Sequence, residues 1–384
     1  MFTYLTAGES HGPGLVAVVE GLPAGMEISI DDLQNELARR RLGYGRSPRM
    51  GIEKDELEIL GGVRHGQTLG SPVAVVIRNT EYPEKWSQEM NPFGGEAKRR
   101  LTTPRPGHAD LPGMLKYDTH DARNVLERAS ARETAARTVV GYLAKTLIGY
   151  LGMTVFSHVV EIGRVRVPEG VTPEPDDLPE IDASPVRCLH PASAAQMESE
   201  IEAAREARDT LGGVIEIIGT GVPPGLGSHV HWDRKLDGRL AHALMSVQAI
   251  KGVEIGDGFS QARSMGSAAH DEIVVSADGI ARETNRAGGT EGGISIGGRL
   301  RVRAAMKPIA TVMKRLRSVD VDTGEPTQAF FERSDTCAVP RAGVVCEQMV
   351  AIVLAQEAQR MFGGDTLSDF VDAYGRYRDR LERF

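Results

Sequence analysis

Apolar positions fall into two rhythms along the chain. Short runs with β-branched or alternating apolar residues read as strands, and longer stretches with an apolar residue every three to four positions read as helices. Leu15 to Glu20 is a strand ended by Gly21-Leu22-Pro23-Ala24-Gly25. Ser29 then opens a helix with Leu33, Leu37 and Leu42 near helical spacing. Residues 71–78 read as a buried strand, and Asp121 to Leu151 as one long helix with Val125, Ala129, Ala136, Val140, Leu143, Leu147 and Leu151 on its stripe. Met153–Ile162 and Gly213–Gly219 are strands. Ser193-Ala-Ala-Gln196 has the form of a capping box opening a helix that reaches about Thr210. A helix from Asp233 to about Gly252, a strand over Ile294–Met306, a helix over Arg341–Met361 and a charged amphipathic helix over Asp365–Phe384 complete the pattern. Strands of antiparallel character mixed with packed helices give an α+β fold class. No linker interrupts the pattern, so residues 1–384 read as one folding unit. Gly21-Leu-Pro-Ala-Gly to Leu37 echoes Gly221-Val-Pro-Pro-Gly to Leu240, each a strand, a Gly/Pro turn and a helix, which suggests an internal duplication.

Three segments lack either rhythm. Pro168–Pro191 is Pro- and acid-rich and reads as a surface excursion, and Gly256–Gly297 is glycine-rich, with Asn285 to Gly293 at its densest. Residues 79–120 carry many Pro, Gly and polar residues, and a segment that long inside a compact domain is usually functional or disordered. It holds Arg105-Pro106-Gly107-His108-Ala109-Asp110, which favours function. Two other stretches set polar chemistry among small residues: Gly8-Glu9-Ser10-His11-Gly12-Pro13-Gly14 and Arg333-Ser334-Asp335-Thr336-Cys337. Glycines let backbone approach a ligand closely, and a histidine exchanges protons near neutral pH. Each stretch alone also fits a turn with a satisfied polar side chain; together they are expected to meet in one site.

Arginines sharpen this picture. Arg39, Arg40 and Arg41 fall at a helix C-terminus, where they suit the dipole. Arg46 and Arg49 lie beyond Gly43 and Gly45 in a loop, suited to bidentate phosphate or carboxylate binding, with a solvated loop as the alternative. Ser130-Ala131-Arg132-Glu133-Thr134 offers close approach to a ligand, or equally to a packed neighbour. For His65, His120, His158 and His242 a structural role is preferred.

Charge and missing motifs then exclude several classes. With 45 Lys and Arg against 53 Asp and Glu, the net charge of −8 disfavours a general nucleic-acid or acidic-membrane surface. The three cysteines, Cys188, Cys337 and Cys346, have no metal-ligand spacing and read as reduced thiols, which points to a cytoplasmic protein. No signal peptide is apparent, no apolar run approaches the roughly 18 to 20 residues of a membrane span, and no zinc-ligand spacing occurs. A P-loop is absent. Gly12-Pro-Gly14-Leu-Val-Ala17 has the form of a dinucleotide fingerprint but leads into a strand, not a helix. Adjacent Ser10 and His11 do not make a hydrolase triad. Histidines, one carboxylate, many arginines and glycine loops remain. They fit proton transfer on a multiply anionic small molecule, with a cofactor as an option.

GESHG, RRRLGYGRSPRM, RPGHADLPGMLKY, RASARETAART and RSDTCAVPRAGVVCEQM, in this order from about Thr6 to Met361, together resemble the chorismate synthases. The resemblance implies conversion of 5-enolpyruvylshikimate 3-phosphate to chorismate and phosphate by 1,4-anti elimination, in the shikimate pathway. It implies a requirement for reduced FMN, a β-α-β sandwich with helices between antiparallel sheets, and a homotetramer. His11 would protonate the leaving phosphate with support from Ser10, His108 would protonate or stabilise the reduced flavin, and Asp335 would relay the C6 proton through the flavin N5. Arg40, Arg46, Arg49, Arg105, Arg132 and Arg333 would surround the substrate. Flavin contacts would come from Arg128, Ala129, Ser130, Gln248, Ala249, Gly292, Lys307, Pro308, Ile309, Ala310, Thr311, Arg333 and Ser334. Arg40 and Arg46 would also meet NADPH. No extra nicotinamide domain is apparent, so reduced flavin is expected from an external reductase, with NADPH at most an indirect reductant.

Overall fold

A computed structural model describes residues 1–45, 55–95, 97–276, 279–332 and 334–384. Two antiparallel sheets carry the fold. The first is formed by β1 (Thr3–Gly8), β2 (Gly14–Glu20), β3 (Glu56–Gly61) and β4 (Val73–Arg78), in the order β1-β2-β4-β3. The second is formed by β5 (Thr154–Ile162), β6 (Val165–Arg166), β7 (Gly213–Thr220), β8 (Ile250–Ile255) and β9 (Leu300–Met306), in the order β8-β9-β7-β5-β6.

The helices are α1 (Ile30–Arg39), α2 (Asp110–Tyr117), α3 (Arg123–Ala129), α4 (Thr134–Gly149), α5 (Leu178–Ala183), α6 (Pro191–Glu206), α7 (Leu236–Met245), α8 (Val339–Phe362) and α9 (Leu367–Leu381), with single helical turns elsewhere. Ser29 caps α1 as its sequence suggests, its hydroxyl accepting from the Asp32 amide at 3.1 Å. α4 is apolar on nearly every side, from Ala135 and Ala136 to Leu147 and Ile148, and such a helix is stable only when enclosed. It packs on β1 and β2 on one side and on α8 on the other, and α8 in turn lies on β5 and β7. One apolar cluster runs from Phe2 to Phe370 through both sheets and both helices.

Several expectations are corrected. α8 is long and apolar enough to cross a membrane, although no such run is apparent in the sequence pattern; 89% of its apolar window is buried in protein. The single helix expected over Asp121–Leu151 is two helices. Ser130 adopts extended backbone (ψ 144°) and its hydroxyl accepts from the Arg132 amide, so the chain restarts in a new direction. The helix expected over Asp233–Gly252 ends at Met245, and Ala249 at φ +67° turns the chain into β8. α6 begins at Pro191 rather than Ser193, because His190 caps it through Nδ1, which accepts from the Ser193 amide at 3.2 Å. The strand expected over Ile294–Met306 divides at Gly297 and Gly298 into Ile294–Ser295 and β9.

Residues 79–120 contain a π-helical turn at Tyr82–Trp86 as well as α2, and Leu101 and Met114 join a small core with Ala122 and Leu126. Pro168–Pro191 is not wholly a surface excursion. Ile181, Val186 and Arg187 are fully buried, the Arg187 guanidinium donating to Asp182, Ser157 and Glu347. Arg39 is likewise no mere dipole partner: it is paired with Glu36, Asp182 and Glu347. Glu347 lies inside α8 with no exposure. Burial alone would push its carboxyl up, but Arg39, Lys145 and Arg187 hold it well below the usual range.

Candidate active site

The β1–β2 hairpin turns so tightly that Gly8, at φ +99°, leaves no room for a side chain: a Cβ there would lie 2.2 Å from the Gly14 carbonyl oxygen. This bend lifts Ser10 and His11 off the sheet. Two anchors fix it. The Asn79 side-chain amide, just beyond β4, donates to the carbonyls of Glu9, Ser10 and Gly12 at 2.8–3.2 Å. Glu127, on α3, accepts from the Ser10 amide through its backbone carbonyl at 2.9 Å, and from the His11 amide through Oε2 at 2.8 Å.

The ring of His11 is held by the same carboxylate. Its Nδ1 lies 2.9 Å from Glu127 Oε1 and 3.1 Å from Oε2. Burial would push the Glu127 carboxyl up, but its bonds to His11 and the Arg123 guanidinium at 2.9 Å hold it below its ordinary value. An ionised carboxylate only accepts, so Nδ1 carries a proton. Nε2 is buried and has no partner among the described residues. Trp86 covers the ring with centroids 4.0 Å apart, and Arg123 sits over the indole in turn.

Across the cavity the Arg105–Asp110 turn holds a second histidine. His108 Nδ1 meets Asp110 Oδ1, and Arg105 clasps the same carboxylate through Nε at 2.8 Å and Nη2 at 3.1 Å. Asp110 is fully buried, which alone would raise its carboxyl; the His108 and Arg105 hydrogen bonds outweigh that and hold it down at about 2. Arg105 also donates to Thr311 Oγ1 at 2.8 Å and lies over the Phe330 ring. Lys307 Nζ donates to the Gly107 carbonyl, and partial burial followed by repulsion from Lys251 lowers its ammonium pKa.

Between the two histidines lies a cavity of about 600 Å³. Its wall brings together Ser10, His11, Arg40, Arg105, His108 and Arg132, and with them Ala129, Ser130, Gln248, Ala249, Lys307, Ile309, Ala310, Thr311, Ser334 and Asp335. The three polar stretches do meet. Arg40 is buried and Nη1 reaches Thr134 Oγ1 at 3.5 Å, while Arg132 donates to Asp55 at 2.5 Å and to Asn79 at 3.1 Å. Asp335 accepts from Arg341. Three expected residues stand outside this wall. The exposed Arg128 donates to the carbonyls of Thr6 and Gly8, Gly292 sits on the exposed turn of the Thr290–Ser295 hairpin, and Pro308 is not among the lining residues. Arg46, Arg49 and Arg333 lie outside the described residues.

Glu127, Asn79, Trp86 and Arg341 escape sequence reasoning. Arg123 and Glu127 are four apart on a helix and look like a surface ion pair. For the break at Ser130 a signal was present: Ser130-x-x-Glu133 has the form of a capping box.

These features define an α+β protein with a cavity lined by several arginines and two histidines. The family model for chorismate synthase matches residues 2–358. A chorismate synthase of Salinispora tropica is 58% identical over 390 residues, covering 99% of both chains, and one of Acidothermus cellulolyticus is 60% identical over 390 residues with the same coverage. A crystal structure of chorismate synthase aligns with a TM-score of 0.81 at 40% identity, covering 100% of this chain and 99% of that one. The chain belongs to the chorismate synthase family.

Proposed function

We propose that this protein is a carbon–oxygen lyase that eliminates phosphate from 5-enolpyruvylshikimate 3-phosphate to give chorismate, in aromatic amino acid biosynthesis. The observation that carries this reading is His11, whose Nε2 is a buried polar atom without a partner among the described residues, in the wall of a cavity that Arg40, Arg105 and Arg132 also line. Expelling phosphate needs its growing charge neutralised, and preorganised guanidinium groups and a proton at Nε2 do that. Arg40, Arg105 and Arg132, with Arg46, Arg49 and Arg333 from outside the described residues, would bind the phosphate and carboxylates; Ser10 supports His11.

The cavity also suits reduced FMN. Its volume lies in the range of cofactor sites, and Leu126, Val247, Met306, Ala310 and Val345 give it apolar walls. Gln248 donates its amide to Glu133 at 3.3 Å, and its Oε1 is buried without a partner among the described residues, so it could accept from a ring N–H. Ala129, Ser130, Ala249, Lys307 and Ile309 to Thr311 would hold the flavin, with His108 beside it. When bound, the reduced flavin supplies the electron density that removal of a weakly acidic C–H proton demands. Asp335, which accepts from Arg341 and lines the cavity, would relay that proton.

Finer readings follow. Sheets on either side of α4 and α8 support the reading as a β-α-β sandwich, and the apolar cluster they share supports reading 1–384 as one unit. The duplication reading gains support from backbone geometry: Gly21 and Gly25 have φ of +86° and +89°, Gly221 and Gly225 of +67° and +102°, and each pair leads from a strand towards a helix. A cytoplasmic homotetramer drawing reduced flavin from an external reductase, with NADPH as indirect reductant, completes the proposal.

The test is anaerobic incubation with dithionite-reduced FMN and 5-enolpyruvylshikimate 3-phosphate, following phosphate release and chorismate absorbance, and then with oxidised FMN plus NADPH. Turnover with pre-reduced flavin only is expected. Turnover in both would add an intrinsic reductase activity, and turnover in neither, with flavin bound, would overturn the proposal.

A further inference from the structure

His11 and Glu127 are 116 positions apart in sequence, yet the carboxylate makes three contacts to that one residue, one to the backbone amide and two to Nδ1. The backbone contact matters most. An amide N–H can only donate, so Oε2 must be an acceptor. Arg123, donating to Oε1, makes the same demand of the other oxygen. Both oxygens are thus pinned as acceptors, and the Nδ1 atom between them must be a donor. The side chain of Glu127 is 3% exposed, so water does not compete for these positions.

From this geometry we infer that Glu127 is a positioning residue that keeps Nδ1 of His11 protonated throughout, so that every proton the ring gains or loses is exchanged at Nε2, on the cavity side. The inference rests on the proposed elimination for its functional meaning, but the tautomer it assigns is a property of the free protein. Trp86 and Asn79 serve the same end. One covers the ring face and the other holds the carbonyls of the bend, so the imidazole has little freedom to turn Nε2 away.

Glu127→Gln reverses the arrangement without changing its size. The His11 amide claims the new amide's oxygen, and the –NH₂ then faces Nδ1 and Arg123. Nδ1 has to accept, so the neutral ring carries its proton on Nε2 and exchanges protons at Nδ1 instead. Selective ¹⁵N-histidine labelling and magic-angle-spinning NMR of the flavin-free protein, at a pH about two units above the ordinary histidine value of about 6.5, reads this directly. Signals are assigned by their loss in His11→Gln. The wild type is expected to show a protonated Nδ1 and a bare Nε2, and Glu127→Gln the reverse. In the flavin-reduced assay Glu127→Gln should lower kcat by about 10²-fold or more, the loss expected when an acid–base histidine is held in the wrong tautomer. KM should change far less, because a proton on the wrong nitrogen affects the transition state more than ground-state binding. Glu127→Asp, which keeps the charge, should recover part of the loss.

A wild-type ring that is bare at Nδ1 and protonated only at Nε2 would overturn the inference, and this measurement stands even if Glu127→Gln fails to fold. So would a Glu127→Gln enzyme with the wild-type tautomer and undiminished kcat. Should the tautomers be as expected but the wild type release no phosphate, the positioning role stands and the elimination reading falls.

Discussion

The two histidines of the cavity each present Nδ1 to a buried carboxylate, and they obtain it in opposite ways. His108 finds Asp110 two residues on, at the first turn of α2, within one short bend that also supplies Arg105. His11 finds Glu127 on a different element, and the pair exists only once β2, β4 and α3 have come together. A local pair survives anything that leaves the bend intact. A remote pair reports on the whole fold. The chemistry assigned to each side matches the difference, since the histidine expected to meet the departing phosphate is the one whose orientation the tertiary structure fixes.

Substitutions test this contrast. The largest effect is expected for His11→Ala, a loss of about 10²- to 10⁴-fold in phosphate release with reduced-FMN affinity unchanged by fluorescence or absorbance titration; equal loss of both would erase the distinction between the two sides. Next comes Asp110→Ala, which leaves the buried Arg105 and the half-buried His108 without their shared carboxylate and should cost about 3–5 kcal/mol in urea unfolding. The same carboxyl sets an acid limit. Because its folded value, about 2, lies below its unfolded one, its stabilisation is fully present above pH ~4 and fades as pH falls toward ~2. At about 1.4 kcal/mol per pH unit that amounts to roughly 2 kcal/mol. Asp110→Asn should therefore be less stable at neutral pH but flatter across that window, and an unchanged slope would count against the pair. Asn79→Ala removes the donor from three carbonyls of the His11 bend and should cost about 1–3 kcal/mol, lowering kcat less than His11→Ala does. Arg128→Ala should change stability by less than about 1 kcal/mol, its guanidinium being exposed.

How much of this was legible follows the same division. The strand at 71–78 and the helix around 341–361 emerge from periodicity because burial repeats with the backbone's own period. His11, His108, Asp335 and the arginines emerge because their surroundings of Gly and Pro are local. Asp110 could be read beside His108. Glu127 could not be read beside His11, since nothing within α3 distinguishes a carboxylate that faces solvent from one that faces a histidine from another hairpin. Arg187 was obscured similarly: its neighbours are Pro- and acid-rich, and only the approach of Glu347 from α8 explains why it is fully buried. The helix ends at Ser130 and Met245 were overrun because the apolar spacing continues past the point where the backbone turns.

The order in which the cavity wall appears along the chain has a consequence for synthesis. Its residues run from Ser10 to Val345. At about 5–20 residues per second, a ribosome releases His11 on the order of tens of seconds before it releases Val345. For that interval β1 to β4 and α4 can assemble, but the side of α4 that α8 will cover stays open, and so does the face of β5 and β7. A nascent chain paused there presents two apolar surfaces that α8 later covers. Its most vulnerable moment is thus set by how late a single 24-residue helix is made.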